Sequence, residues 1–436
     1  MMSKLEKYPK YKDSGVEWLG DIPAHWNSLK VKNICFFDKG FGLSKNELDD
    51  CGKYSCILYG ELFTSFKNQN SISNAISKTN LNIGKVSLGN EVLIPSSTTT
   101  TGIDLANAKA LKTKNILLGG DVIILKPRQS YQYVPQYVSY FLTYTNKSEF
   151  IKFAKGVTIY HIYGNTIREM PIFLPPINEQ EKIVNYLEQK VSQINQAIKQ
   201  KENLIALLNE RKNIIVNTSI KKGINQNVTL KNTNIEWIGE VPEHWEIIKV
   251  KNIFNLIIDP APKNNDEELL SIYTDIGVRP RKELEEKGNK ASTTDGYWRV
   301  KKGDFIVNKL LAWMGAIGLS EYEGVTSPAY DILRAKIPIV GRFYHELFRL
   351  KVFSEEMKKY SRGIMDMRLR LYFDKFGDIR VPYPKQREQQ QIVDYIQRQT
   401  KKIDHVVTLQ QKQIKKLEEY KATLIDSVVT GKVRIA

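Results

Sequence analysis

Two stretches of the chain are nearly the same and decide its organisation: residues 17–34 read EWLGDIPAHWNSLKVKNI, and residues 236–253 read EWIGEVPEHWEIIKVKNI. Eleven of the eighteen positions are identical at a constant offset of 219 residues. Both copies contain the string W-x-G-x-x-P-x-H-W. Because chance does not produce such a string twice in one chain, the sequence predicts an internal duplication.

A second repeated string follows later in each half. Residues 174–187 read LPPINEQEKIVNYL, and residues 383–396 read YPKQREQQQIVDYI, at an offset of 209 residues. Each half therefore has the same order: the Trp/His motif, a long variable stretch, a proline stop and a Gln/Glu-rich helix. The variable stretches, about 35–170 and 254–380, show no obvious similarity to each other.

Each Gln/Glu-rich stretch predicts a helix of about 45 residues, or about 65 Å. After the prolines, neither Pro nor Gly recurs until Gly223 in the first stretch and Gly431 in the second. Apolar residues recur at alternating steps of four and three, which is typical of supercoiled helices; two core helices of a globular domain are the alternative. The predicted seam consists of Leu187, Ile194, Lys201, Leu208, Ile215, Ile396, Ile403, Gln410, Leu417 and Leu424.

The shared heptad register permits a sharper expectation. If the two halves are related by a pseudo-twofold axis, the two helices must run antiparallel. Lys201 then lies at the midpoint of the first heptad array and Gln410 at the midpoint of the second. We expect these two polar seam residues to face each other and to help set the register of an antiparallel coiled coil.

The variable stretches predict mixed domains. Short β-rich runs separated by Gly, Asn, Asp and Ser lie near 89–95 and 119–127 in the first stretch, and near 302–311 and 329–337 in the second. An aromatic, charged helical segment follows in each. The predicted fold class is α+β, with two such domains joined by the long helices.

The bulk composition limits the partners and the compartment. A formal net charge of +17 favours a polyanion, because lysine and arginine release counterions from phosphates; a basic protein with a solvated lysine surface is the alternative. The three cysteines, Cys35, Cys51 and Cys56, are too few and too scattered for a disulfide framework or a zinc site. With no long apolar run and no secretory signal, the sequence predicts a cytoplasmic protein without membrane contact.

Polar, aromatic and basic residues cluster in the predicted turns of both variable stretches. Arginine can bind guanine edges, Asn and Gln suit adenine, and Lys and Arg also hold phosphates. For any one residue an ordinary solvated loop is the alternative, but in so basic a chain the loops as a group favour DNA. The candidate DNA-binding residues are Ser97, Thr98, Thr99, Thr100, Arg128, Gln129, Lys155, Tyr160, His161, Tyr163, Asn308, Lys309, Trp313, Ser327, Tyr330, Arg362, Arg368 and Arg370.

Familiar catalytic motifs are missing from the sequence. It contains no G-x-x-x-x-G-K-[ST] phosphate loop and no H-E-x-x-H, and the strings LPPI at 174–177 and DPAP at 259–262 are poor matches to a methyltransferase tetrapeptide. The lone histidines of the repeated motif, His25 and His244, are more typical of structural hydrogen bonds than of catalysis. We therefore predict no catalytic, cofactor-binding or metal site in this chain.

The repeated strings resemble those of a known family. The two E-W-[LI]-G-[DE]-[IV]-P-x-H-W segments resemble the motif that opens each half of type I restriction–modification specificity subunits. The string P-P-x-x-E-Q-x-x-I-V from Pro175 to Val184 resembles the start of that family's spacer helix. The second copy departs from it, reading P-K-Q-R-E-Q-Q-Q-I-V from Pro384. The resemblance covers the whole chain, including the order and the duplication of the motifs.

The resemblance implies a domain plan in pseudo-twofold tandem repeat. It places a target recognition domain at residues 1–174, with its conserved motif at 14–34, and a spacer helix at 175–222. A second recognition domain follows at 223–382, with its motif at 233–253, and a second spacer helix at 383–436.

By the same resemblance, the chain is the non-catalytic subunit that chooses the DNA sequence for partner enzymes. Each recognition domain would read one half of a bipartite, gapped site in double-stranded DNA, and the paired helices would set the gap. Two methyltransferase (modification) subunits using S-adenosylmethionine, and restriction (endonuclease and translocase) subunits using ATP and Mg²⁺, would dock on it. None of those cofactors would bind this chain.

Two other functions remain compatible with the residues alone. One is a coiled-coil interaction protein without a DNA role, which predicts no salt-sensitive DNA binding. The other is an atypical DNA methyltransferase or nuclease, which predicts activity from the purified chain by itself.

Overall fold

The computed structural model describes residues 6–129, 131–145, 147–283, 294–363 and 369–435. The chain divides into two compact units: unit 1 comprises Met1–Glu202 and Gln410–Ala436, and unit 2 comprises Asn203–Leu409. Each unit thus contains one recognition stretch and one half of each long helix. Both units mix strands with helices, which confirms the predicted α+β class.

Short strands form most of unit 1. They are β1 Tyr11–Asp13, β2 Asp21–Pro23, β3 Asn27–Lys30, β4 Cys35–Lys39, β5 Tyr54–Ile57, β6 Ser71–Ile72, β7 Ser77–Thr79, β8 Lys85–Leu88, β9 Val92–Pro95, β10 Ser97–Thr98, β11 Lys109–Leu111, β12 Lys114–Leu118, β13 Val122–Pro127, β14 Tyr160–His161 and β15 Pro171–Leu174. Its helices are α1 Val31–Ile34, α2 Pro135–Tyr140, α3 Lys147–Phe153, α4 Gly164–Glu169 and the long α5 Ile177–Lys222, which continues into unit 2.

Unit 2 has a similar plan. Its strands are β16 Leu230–Asn232, β17 Glu240–Pro242, β18 Glu246–Lys249, β19 Phe254–Ile257, β20 Leu270–Tyr273, β21 Gly277–Pro280, β22 Trp298–Val300, β23 Phe305–Asn308, β24 Ile317–Leu319, β25 Gly324–Thr326, β26 Tyr330–Ala335 and β27 Arg380–Tyr383. Its helices are α6 Val250–Ile253, α7 Gly341–Phe348, α8 Lys351–Tyr360, α9 Phe373–Phe376 and the long α10 Gln386–Val429, which continues into unit 1.

The central sheets of the two units share the order of four strands, and the sheet of unit 1 has a fifth strand, β6, at one edge. In unit 1 the order is β4-β13-β9-β11-β6, and in unit 2 it is β19-β26-β23-β24. The strand that follows the repeated motif, β4 or β19, therefore lies at one edge of each sheet. Its neighbour is β13 in unit 1 and β26 in unit 2. This match makes the loop that follows β9 the counterpart of the loop that follows β23.

A buried glutamine fixes the start of each long helix. In unit 1, Gln180 donates to the carbonyl of Pro175 (2.8 Å) and accepts from the backbone N–H of Val134 (2.9 Å), at the start of α2. Gln389 makes the matching contacts with Pro384 and Val340, both at 2.8 Å. Both amides are buried, so each satisfies two backbone groups that would otherwise lack partners.

The long helices pair in antiparallel fashion within each unit. In unit 1, Asn195 of α5 lies beside Lys421 of α10 (3.0 Å), and Lys201 Nζ donates to Gln410 Oε1 (3.0 Å). As the number rises along α5, it falls along α10, which confirms the antiparallel coiled coil. All ten predicted seam residues are buried or half-buried. The central ones remain half-buried because each helix has a single helical partner there.

The Trp/His motif, which precedes each variable stretch, contacts the first turn of the long helix that follows that stretch. Trp26 and Trp245 are fully buried. His25 Nε2 donates to Glu179 Oε2 (2.8 Å), although the two residues lie 154 positions apart. His244 Nε2 donates to Glu388 Oε2 (2.9 Å) across 144 positions. The motif therefore closes each variable stretch into a loop whose two ends are held together.

The last residues of each motif also pair with the end of the variable stretch that follows it. Strand β3 pairs antiparallel with β15, the strand just before α5, and β18 pairs in the same way with β27. Lys30 and Lys32 donate to Glu169 (2.8 and 2.6 Å), and these hydrogen bonds lower the pKa of that carboxyl to about 2. The matching contacts of unit 2 join Lys249 and Lys251 to Asp378 (3.0 and 2.8 Å).

The two carboxylate anchors differ in one respect. Glu179 also accepts from Trp26 Nε1 (3.1 Å) and from Tyr8 OH (2.6 Å). In unit 2, no described residue provides a hydrogen-bond partner for Trp245 Nε1. Glu179 thus joins three side chains, and Glu388 joins only His244 among the described residues.

This difference predicts that replacing each anchoring glutamate by alanine destabilises the two units by unequal amounts. We expect Glu179→Ala to lower the free energy of unfolding of unit 1 by about 2–4 kcal/mol, since hydrogen bonds to charged groups contribute about 1.5–3 kcal/mol each and do not add fully. The matched Glu388→Ala should cost unit 2 only about 1–2 kcal/mol. Native-state hydrogen exchange of β3 and β18 in the full chain measures both. Equal losses in the two units would contradict the assignment of Glu179 as the stronger anchor.

Candidate nucleic-acid interface

Three loops of unit 2 lie together at the end of its central sheet. The backbone N–H of Leu371 donates to the carbonyl of Lys309 (2.8 Å), and Arg362 and Arg370 exchange two backbone hydrogen bonds of 2.9 Å. The third loop joins them because β23 pairs with β26 up to Asn308 and Tyr330. The loops at 308–316 and 326–330 and the described parts of the third loop, residues 361–363 and 369–371, are therefore one cluster.

The side chains of this cluster differ in accessibility. Arg362 and Arg370 are exposed, and Arg362 makes a salt bridge with the equally exposed Asp374 (3.1 Å). Lys309 is mostly buried and lies 3.2 Å from Asp331, whose pKa is raised by burial and partly lowered again by this lysine. The two arginines can thus reach a ligand, whereas Lys309 mainly neutralises a buried carboxyl.

The remaining candidates of unit 2 support the loops. Asn308 is buried, and its side-chain oxygen accepts from the N–H groups of Leu310 and Leu311 (3.0 and 3.3 Å). Trp313 is half-buried beneath the ammonium of Lys358, 5.0 Å from the ring centroid. Ser327 and Tyr330 are half-buried at the turn before β26. The candidate Arg368 lies outside the described residues.

Unit 1 presents a loop cluster at the corresponding place. Strand β10 pairs with β14, which sets Ser97 opposite His161 and Thr98 opposite Tyr160. Lys155 in turn exchanges backbone hydrogen bonds with His161 (3.0 and 2.8 Å). The loops at 96–101 and 155–163 are therefore neighbours, and they correspond to the loop at 309–316 and to the described residues 361–363 and 369–371 of unit 2.

Accessibility divides the candidates of unit 1 as well. Ser97 and Thr98 are buried, with Ser97 bonded to Asp121 (3.3 Å) and Thr98 to Thr100 (2.8 Å), so they hold the loop in place. The candidates that are exposed or half-exposed at this cluster are Thr99, Thr100, Lys155, Tyr160, His161 and Tyr163.

Cation–aromatic pairs elsewhere in unit 1 include residues that the sequence did not single out, and one of them lies at the end of β13 that is remote from the loop at 96–101. The guanidinium of Arg128 lies 4.1 Å from the ring centroid of Phe36, which is 53% exposed, and Gln129 beside it is exposed. On α4, Arg168 lies 4.7 Å from the ring of Phe37. Two consecutive phenylalanines one residue after a motif that ends in a buried isoleucine were the available sequence signal, and stacking against arginine is visible only in the structure.

Below the loops of unit 2, an arginine and a histidine hold the backbone. Arg349 donates to the carbonyls of Gly315 (3.0 Å), Thr274 (2.6 Å) and Asp275 (2.9 Å). His345 Nδ1 accepts from the N–H of Leu319 (3.2 Å), and burial, together with nearby Arg342 and Arg349, lowers its pKa to about 3. His345 is therefore a neutral structural acceptor at neutral pH.

Among the described residues, no group of three or more His, Cys, Asp or Glu side chains could hold a metal ion. Within the same part of the chain, no helix is long and apolar enough to cross a membrane. The accessible polar and aromatic chemistry of the two clusters comprises hydroxyl, aromatic, guanidinium and ammonium groups, and both clusters also expose apolar side chains.

Comparison with known proteins points to one family. A family model described as the type I restriction modification DNA specificity domain matches residues 23–206. The chain is 22% identical over 332 residues to the putative type I restriction enzyme MjaX specificity subunit of Methanocaldococcus jannaschii, covering 74% of each chain. It is 24% identical over 316 residues to the MjaVIII specificity subunit of the same organism, covering 66% of this chain and 68% of that one.

Two solved structures share the fold. A chain from a study of complex assembly and conformational transition in the type I R-M system matches with a TM-score of 0.68 at 14% identity, covering 94% of this chain and 99% of that chain. The HsdS subunit from Thermoanaerobacter tengcongensis matches with a TM-score of 0.53 at 12% identity, covering 94% and 98%.

The buried histidine predicts a pH dependence of unit 2. A histidine whose pKa falls from about 6.5 in the unfolded chain to about 3 in the folded chain binds fewer protons when folded. Its contribution to stability is therefore complete above about pH 6.5 and is lost progressively as the pH falls towards 3. Between pH 7 and pH 5 we expect a loss of about 2 kcal/mol from this group.

Urea unfolding of the full chain at pH 7 and pH 5 measures this loss. His345→Gln should reduce the difference between the two pH values, whereas His405→Gln, at an exposed position of α10, should leave it unchanged. The same pH dependence in all three proteins would show that His345 is not the responsible group.

Proposed function

We propose that this chain, which belongs to the type I restriction–modification specificity family, selects the DNA sequence on which a restriction–modification complex acts. Each unit reads one half of a two-part site in double-stranded DNA. The observation that carries the proposal is the duplicated frame: the same anchors hold both units, and each presents a different loop cluster at the same end of its sheet.

The exposed residues of each cluster are the proposed contacts. In unit 1, Thr99, Thr100, Lys155 and Tyr163 are accessible at the cluster, and Arg128 lies over Phe36 at the other end of β13. In unit 2 the accessible cations are Arg362 and Arg370. Guanidinium groups recognise guanine edges and phosphates, and threonine offers both a hydroxyl and a methyl group to bases. Because the two sets differ, the two half-sites differ in sequence.

The catalytic work belongs to partner subunits in this proposal. Two methyltransferase subunits dock on the chain and use S-adenosylmethionine, and restriction subunits use ATP and Mg²⁺. The sequence contains no Gly-rich cofactor loop and no phosphate loop, which supports a specificity chain without catalysis of its own. The protein acts in the cytoplasm, where its DNA is.

Mapping of methylated adenine tests the specificity role. We expect co-expression of the chain with its methyltransferase partner to produce N6-methyladenine at a gapped two-part motif, detected by single-molecule sequencing of host DNA. The motif should vanish when the chain is omitted. A methyltransferase that modifies the same motif without this chain would contradict the proposal, and methylation by the purified chain alone would favour an enzyme.

We expect the length of the two long helices to set the gap between the two parts of that motif. Deleting residues 198–204 and 407–413 removes one heptad from each helix around Lys201 and Gln410, or about 10 Å, equivalent to about three base pairs. We expect the variant to lose the natural motif or to methylate one with a shorter gap. Lys201→Gln, which changes the seam but not its length, should retain the natural motif. An unchanged gap in the deletion variant would exclude the helices as the ruler.

A further inference from the structure

One turn of unit 2 exposes three large apolar side chains. Leu310 and Leu311 are each 41% exposed, and Met314 is 53% exposed. We call residues 310–314 the apolar turn. Single exposed hydrophobic residues are common on protein surfaces, but three within five consecutive residues form a concentrated apolar protrusion.

The apolar turn is held rigidly from below. The side chain of Asn308 accepts from the N–H groups of Leu310 and Leu311, and Ala312 between the exposed residues is fully buried. Gly315 closes the turn at φ +97°, a conformation that favours glycine, and its carbonyl accepts from Arg349. The exposed side chains are therefore presented on a fixed backbone, which lowers the entropy cost of binding.

Cations border this protrusion. The carbonyl of Lys309, directly before the turn, bonds to the N–H of Leu371, which follows the exposed Arg370. Arg370 is paired through its backbone with the exposed Arg362. An apolar tip with arginines beside it complements a duplex, whose bases are apolar on their faces and whose backbone is anionic.

Comparison of the two units indicates which partner the apolar turn contacts. The counterpart connection of unit 1, between β9 and β11, exposes the hydroxyl-bearing Thr99, Thr100 and Thr101 and one large apolar side chain, Ile103, which is 37% exposed. A surface that docks two identical partner subunits must be present in both units. Among the described residues, this connection exposes three large apolar side chains in unit 2 and one in unit 1, so the apolar turn belongs to what differs between the units, which is the DNA half-site.

We propose that Leu310, Leu311 and Met314 form a wedge that inserts at a base step of the half-site read by unit 2. This inference rests on the proposed function and adds a specific means of recognition to it. Leucine and methionine are among the side chains that insert between bases, and unstacking costs least at flexible pyrimidine–purine steps. The wedge thereby selects a deformable step in one half-site.

The test uses the complex of the full chain with its methyltransferase, on duplexes that carry the mapped motif. 2-Aminopurine is placed in turn at each base step other than the methylated adenines, because a flipped target base would also change its fluorescence. We expect a fluorescence increase at one step of one half-site. The triple variant Leu310→Ala, Leu311→Ala, Met314→Ala should abolish that increase and weaken binding by about ten- to a hundredfold.

A charge variant provides the matched control. Arg362→Ala with Arg370→Ala should weaken binding and flatten its salt dependence, because phosphate contacts release counterions, whereas the wedge variant should leave the salt slope unchanged. Met314→Ala alone, at the most exposed of the three positions, gives a milder form of the wedge variant that keeps the turn's two leucines. An unchanged thermal midpoint shows that each variant is folded.

Three results would overturn the inference. Unchanged affinity and fluorescence in the wedge variant would show that the turn does not touch DNA. Loss of the methyltransferase from the wedge variant in the absence of DNA would assign the turn to protein docking, although the proposed function would stand. A wild-type complex that binds the motif no better than random DNA would instead remove the proposed function itself.

Discussion

The architecture depends on a carboxylate at the first turn of each long helix and on the imidazole that it accepts a hydrogen bond from. Glu179 and Glu388 lie next to the glutamines that define the helix starts, and the histidines belong to a motif about 150 residues earlier in the chain. The neighbouring tryptophan of each motif is buried in the core of its unit. Closing so long a loop costs entropy that grows only slowly with its length, so a few buried contacts at its ends suffice.

Because the ends of each variable stretch are held in this way, the stretch between them is free to change. The two stretches differ by ten residues in length, as the separations of 154 and 144 between anchor partners show, and they share no obvious sequence similarity. Their central sheets nevertheless have matching strand orders. The loops beyond β9 and β23 differ: the exposed side chains of the first are mainly threonines, and those of the second include two leucines and a methionine. Such a division between a constant frame and changeable loops is what a protein needs to read two unlike half-sites.

The helix pair meets a different constraint. A seam with a single helical partner leaves its central residues half-buried, so an entirely apolar centre would gain little from burial and would specify register weakly. The hydrogen bond between Lys201 and Gln410 forms in one alignment of the two helices and therefore specifies their register. A coiled coil specified in this way also keeps a fixed length, which a flexible linker does not.

The sequence by itself determined the duplication, the long antiparallel helices and the pairing of Lys201 with Gln410, because identical strings and heptad periods are local patterns that survive without knowledge of the fold. It also determined which loops carry candidate residues. Only the tertiary structure decided which of those side chains are accessible: Ser97, Thr98 and Asn308 are buried supports, while Leu310 and Leu311, predicted at the end of a strand, and Met314, predicted in the following turn, are exposed. It also decided that Phe36 stacks with Arg128. The physical reason is that exposure and stacking depend on residues that are distant in sequence. A local sequence pattern therefore does not determine whether a given apolar side chain is buried in the core or exposed.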